Sequence, residues 1–127
     1  MLKLTKLALL TLIMLLPFSN AFAQPEEVNV YSYRQPFLVQ PMFDAFTEET
    51  GVKVNVVFAK KGLSERLVRE GRNSPADLVF TVDIGRLMDV VNKDLVQNVN
   101  SELLNKNIPS QYRDPEGKWF GLTTRTR

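Results

Sequence analysis

The chain has 127 residues, with 16 Lys and Arg against 14 Asp and Glu, 44% hydrophobic residues, 24% charged residues, and neither His nor Cys. That composition is globular and the length suits one domain. Lack of Cys excludes a disulfide framework, thiolate metal sites and cysteine catalysis, and lack of His excludes Ser-His-Asp chemistry, His-ligated zinc and a histidine pH switch.

Residues 1–23 read as a secretory signal peptide. Lys3 and Lys6 form the positive start, Leu7 to Leu16 the apolar stretch, and Ala21-Phe22-Ala23 an A-x-A cleavage site, with cleavage after Ala23. The apolar stretch is short for a bilayer span, which needs about 20 residues. Removing the leader takes two Lys and no acid, so residues 24–127 carry a formal net charge of zero. The sequence pI near 9.0 therefore gives no ground for a nucleic-acid partner. The expected location is the periplasm.

Val28 to Tyr33 alternates with period two and is rich in β-branched and aromatic residues, which predicts a strand. Residues 37–50 predict a helix with Leu38, Met42, Phe43 and Phe46 on its apolar stripe. Its firm start is expected near Pro41, because proline suits a first turn, and Gly51 is its stop. Val52 to Phe58 predicts a second strand. Gly62 to Gly71 predicts a second helix with Leu63, Leu67 and Val68 inward. Asp77 to Thr81 predicts a third strand, apolar at its centre and covered on both faces. Asp83 is the expected N-cap of a third helix with stripe Ile84, Leu87, Met88 and Val91. A short helix starts at Ser101, Asp114-Pro115-Glu116-Gly117 is a turn, and Lys118 to Thr123 reads as a further strand.

Alternating strands and helices predict a parallel α/β sheet whose sites lie at the carboxyl ends of the strands. Three loops qualify: Tyr33–Pro36, Ala59–Gly62 and Thr81–Asp83. None has a phosphate-cradling glycine pattern. Asp77 and Asp83 read better as a strand-start residue and a helix cap than as paired catalytic carboxylates. Arg66 and Arg69 interleave with Glu65 and Glu70, as on a solvated face. Arg34, with its planar five-donor fork, suits a carboxylate, carbonate or phosphate. Tyr31 reads as packing. For Tyr33, at the strand's carboxyl end, packing and ligand contact are balanced.

Four stretches in this order resemble one family: Val28 to Pro36, Phe46 to Val54, Ser74 to Asp83, and Lys118 to Thr123. They are similar to the periplasmic ferric-iron-binding proteins of bacterial iron(III) ABC importers. The resemblance implies a type II periplasmic-binding fold, α/β, with a mostly parallel sheet flanked by helices and a ligand cleft between two lobes. It implies a family chain about three times the length of residues 24–127, beyond one ordinary domain. Residues 24–127 are then expected to be the first part of lobe 1, a truncated fragment. Some relatives have a metal-ligating His where this chain has Gln35, and a Glu where it has Val82. The chain therefore fits better with relatives that hold Fe(III) through second-lobe tyrosines and a carbonate-like anion. The resemblance implies Arg34 and Gln35 at the anion edge, Tyr33 and Asp83 as cleft walls, and Arg125 as a second cation, with no metal ligand in this stretch. Oxygen donors match Fe(III), a hard cation. The implied function is solute binding, not catalysis, with delivery of ferric iron to an inner-membrane permease. The alternatives are a type II binding protein for another small solute, or a remnant without function.

Overall fold

The computed structural model describes residues 26–124. The predicted signal peptide and Arg125 lie outside the described residues. The described chain runs β1 (Glu27–Ser32), α1 (Pro36–Thr50), β2 (Lys53–Phe58), α2 (Leu63–Glu70), β3 (Leu78–Phe80), α3 (Ile84–Asn92) and α4 (Glu102–Asn107), with short 3-10 turns at Gly71–Asn73 and Ser110–Tyr112. The sheet is parallel, in the order β2-β1-β3. Its register pairs Glu27 to Ser32 with Lys53 to Phe58, and Val30 to Ser32 with Leu78 to Phe80. Among the described residues no helix is long and apolar enough to cross a membrane.

The alternation of β1 divides the core between two faces. Val30 packs with Val39 and Phe43 of α1, and with Val28, Val54, Val56 and Phe80. Phe43 meets the Phe80 ring edge-on, with centroids 6.3 Å apart. Tyr31 and Tyr33 pack on the other face with Leu63 and Leu67 of α2, and with Ala59, Ala76, Val79 and Val82. β1 is thus covered on both faces and both edges, and each apolar side chain it buries contributes about 1.5–3 kcal/mol.

Five expectations need correction. The helix α1 begins at Pro36, not near Pro41, and Pro41 lies inside it. Pro41 forfeits one backbone bond, but Pro36 presets the first turn and the earlier start brings Val39 onto the sheet. The inward residues of α1 are Val39 and Phe43, while Leu38, Met42 and Phe46 are exposed. In α3 the buried residue is Val90, while Ile84 is exposed. β3 is a three-residue edge strand with Leu78 exposed, because only β1 flanks it among the described residues. Finally, Lys118 to Thr123 is no strand: it makes one antiparallel bridge, Arg113 to Phe120. The 3-10 turn before Arg113 and the turn after Asp114 leave room for only one paired position.

Other expectations hold. Gly51 (φ 75°) closes α1 with its N–H on Thr47 O at 2.8 Å. Asp83 and Ser101 cap α3 and α4 through side-chain acceptors.

Candidate functional site

The carboxyl end of the sheet gathers the loops after β1, β2 and β3. The first is tied to the strand by a side chain. Ser32, the last residue of β1, is fully buried. Its Oγ accepts from Arg34 N–H at 3.0 Å and donates to Arg34 C=O at 2.9 Å, a tight serine turn. Gln35 is extended (φ −63°, ψ 141°), and its carbonyl accepts from Leu38 N–H at 3.0 Å as α1 begins. Arg34 is half-buried, and among the described residues its guanidinium has neither a hydrogen-bond partner nor an ion pair. Gln35 is exposed.

Tyr33 points into the core. Its backbone N–H donates to Phe80 O at 2.9 Å, and its hydroxyl accepts from Ser64 N–H at 3.0 Å. Since Gly62 offers α2 no side-chain cap, the Tyr33 phenol serves as one. Arg86 lies over the Tyr33 ring, 5.3 Å from its centroid. The same Arg86 is bound to Asp83: its N–H reaches Oδ1 and its guanidinium reaches Oδ2, each at 2.9 Å. Sequence reasoning passed over Ser32 and Arg86. A serine two residues before Arg34, and an Asp-to-Arg spacing of three on a first helical turn, are the signals that point to them.

The residues present do not form a metal centre. Among the described residues there is no group of three or more Asp and Glu able to hold an ion. Tyr31 is unsuited to phenolate formation: burial, followed by the hydrogen bond to Glu70, raises its pKa above the usual value. Its hydroxyl lies 2.9 Å from both Glu70 oxygens, which also take Arg66 Nε at 2.6 Å and Ser74 Oγ at 2.7 Å. Val82 is half-buried against the Tyr31–Tyr33 cluster and has no donor to offer.

Two arrangements that could suggest catalysis have structural explanations. Asp77 and Asp83 sit beyond opposite ends of β3, and Asp77 is occupied by Asn29 N–H at 2.8 Å. Ser64 Oγ lies 3.1 Å from Lys93 Nζ and 2.5 Å from Asp89. A serine nucleophile would need a neutral lysine beside it. The bond to Asp89 instead raises the Lys93 pKa and keeps it an ammonium ion. This cluster ties α2 to α3.

A hollow of about 1140 Å³ lies between β3 and the segment from Leu95 to Thr123. Arg34, Thr81 and Asp83 reach its rim, but Leu78, Val79, Phe80, Trp119, Phe120 and Leu122 also line it. It is larger than the usual small-ligand pocket of roughly 300–1,000 Å³. It reads as open space beside an edge strand, with the polar site at one end.

The description "bacterial extracellular solute-binding protein" belongs to a family model that matches residues 31–126. Iron uptake protein A1 of Synechocystis sp. is 41% identical over 112 residues, which are 87% of this chain and 31% of that protein. The Fe(3+)-binding periplasmic protein of Serratia marcescens is 32% identical over 121 residues, 94% of this chain and 36% of that protein. Among solved structures, Mannheimia haemolytica ferric iron-binding protein A in an open conformation superposes with a TM-score of 0.75 at 57% identity, covering 77% of this chain and 31% of that one. A Trichodesmium protein in complex with iron and citrate ligands gives 0.70 at 44% identity, covering 75% and 30%. The chain thus spans about a third of the length of these relatives, and its fold matches that share of a type II periplasmic-binding protein.

Proposed function

This chain belongs to the bacterial extracellular solute-binding family, and from that membership we propose that it supplies the anion-holding edge of a periplasmic ferric-iron-binding protein. Fe(III) is the substrate. A carbonate-like anion sits against Arg34 and Gln35, Asp83 stands at the wall, and Arg125 adds a second cation. Iron's own oxygen donors, tyrosines by the family resemblance, come from a part of the family chain that these residues do not represent. Residues 1–23 direct export and are then removed, residues 24–127 form the first part of lobe 1, and the loaded protein delivers iron to an inner-membrane permease.

One observation carries this reading: the loop after the central strand holds a cation whose backbone is fixed and whose guanidinium is uncommitted among the described residues. An uncommitted guanidinium is suited to bidentate capture of a small oxyanion. The relatives named for iron uptake and for ferric iron support the choice of substrate. Binding without catalysis agrees with the structural roles of Ser64, Lys93, Asp77 and Asp83.

The test replaces the matching stretch of the Mannheimia haemolytica protein with residues 26–124 of this chain. Titration with ferric nitrilotriacetate and bicarbonate is expected to give a visible ferric-phenolate band. Arg34→Gln is expected to weaken the bicarbonate-dependent step about tenfold, as for one lost charge-assisted contact. The 127-residue chain alone is expected to show no such band. A chimera that folds without binding iron, or that binds it equally well with Arg34→Gln, overturns the reading.

A further inference from the structure

Only Tyr33, Arg34 and Gln35 separate β1 from α1. Tyr33 is held at three points: its N–H on Phe80, its hydroxyl on Ser64 N–H, and its ring under Arg86. Gln35 is held by the start of α1. Among the described residues Arg34 has a single hydrogen-bonded tether, and it is the Ser32 hydroxyl. That hydroxyl spends its proton on Arg34 C=O and a lone pair on Arg34 N–H, so one side chain fixes the peptide groups on both sides of Arg34. Ser32 is itself fixed on the central strand. It pairs with Phe58 of β2 and Phe80 of β3, its carbonyl accepts from Ala59 N–H at 3.1 Å, and water does not reach it.

We propose that Ser32 is the positioning residue of the anion seat: its buried hydroxyl sets the Arg34 backbone before the anion arrives, so that binding orders only the guanidinium. The inference rests on the proposed role of Arg34. It explains why a hydroxyl sits on the apolar central strand, where an aliphatic residue would pack as well. A cation fixed in advance loses less entropy on binding than one on a mobile loop.

The test uses the 127-residue chain, with the chimera in parallel. The probe is citrate, followed by backbone amide shifts and amide hydrogen exchange. Ser32→Ala is expected to weaken citrate binding about tenfold and to speed exchange of the Arg34 amide at least tenfold. The Ala59 amide, bonded to the Ser32 carbonyl, is expected to keep its protection. Ser32→Thr restores the hydroxyl and is expected to restore both readouts. Parent-like binding by Ser32→Ala, alongside weakened binding by Arg34→Gln, overturns the positioning role and leaves the anion seat standing. Parent-like binding by Arg34→Gln, or no citrate binding by the parent, removes the anion seat and this inference with it. Loss of protection at Ala59 in Ser32→Ala, without rescue by Ser32→Thr, assigns Ser32 to the sheet alone and also overturns it.

Discussion

Replacing Tyr33 by Phe separates the two roles its position allows. The substitution keeps the ring, and with it the packing against Tyr31, Leu63 and Leu67 and the stacking under Arg86. It removes one oxygen, which accepts from Ser64 N–H at 3.0 Å. Ser64 is 1% exposed and Gly62 provides no side-chain cap, so no substitute acceptor is at hand. An unsatisfied buried N–H costs about 1–3 kcal/mol, and loss of a helix cap about 0.5–2 kcal/mol. The expected loss for Tyr33→Phe is therefore about 1–2 kcal/mol. Urea unfolding reports it through Trp119, the chain's one tryptophan. With a slope of about 1–3 kcal/mol per molar, the midpoint should fall by roughly 0.3–2 M. Affinity for citrate or bicarbonate should stay within about twofold of the parent, because the hydroxyl faces α2. Refutation would come from an unchanged midpoint, or from lost anion affinity at unchanged stability. The second result would make the phenol a ligand.

Three further outcomes follow from the same contacts. Arg66 first, then Ser74, hold the Glu70 carboxyl below the usual carboxylate range. A depressed folded-state value means that this contribution is present above the ordinary range and lost as pH falls through the folded value. Urea midpoints of the parent should therefore drop more steeply on acidification than those of Glu70→Gln, and equal slopes would refute the assignment. Gly117 sits at φ 77° with its missing Cβ aimed at the Val99 carbonyl. Gly117→Ala should cost about 1–3 kcal/mol and free the Val99 amide to exchange; a parent-like thermal midpoint would contradict that. Asp83→Ala removes the α3 cap and the partner of Arg86. It should cost about 1 kcal/mol and broaden the Tyr33 ring signals as Arg86 is released; unchanged stability and ring signals would exclude this coupling.

The anion edge and the hollow beside β3 differ in how firmly they are built. Arg34 hangs from a residue flanked by strands on both sides. β3, by contrast, has a strand on only one side among the described residues, and Leu78 is exposed beside the hollow. Fixed charge at a strand's carboxyl end is what a binding loop needs, since disorder there would be charged against affinity. The exposed face of Leu38, Met42 and Phe46 on α1 and the open edge of β3 leave apolar surface on two sides of this sheet.

What the amino-acid sequence determined is what local physics decides. Period-two alternation marked β1, glycine stopped α1, Asp83 capped its helix, and alternating elements implied a parallel sheet. The resemblance of four ordered stretches reached the family. Which side of a helix turns inward was not local. Val39 is buried and Leu38 exposed because the position of α1 over β1 selects among apolar residues that spacing alone ranks equally. The same holds for the strand expected at Lys118 to Thr123, since a strand exists only where a partner offers a ladder, and here the partner offers one bridge. Tyr33 is the clearest case. Its place at the end of β1 was legible, but its use was not, because a tyrosine's role depends on what its hydroxyl meets. Tertiary structure brought Ser64 N–H to that hydroxyl from 31 residues away, committing the phenol to the core.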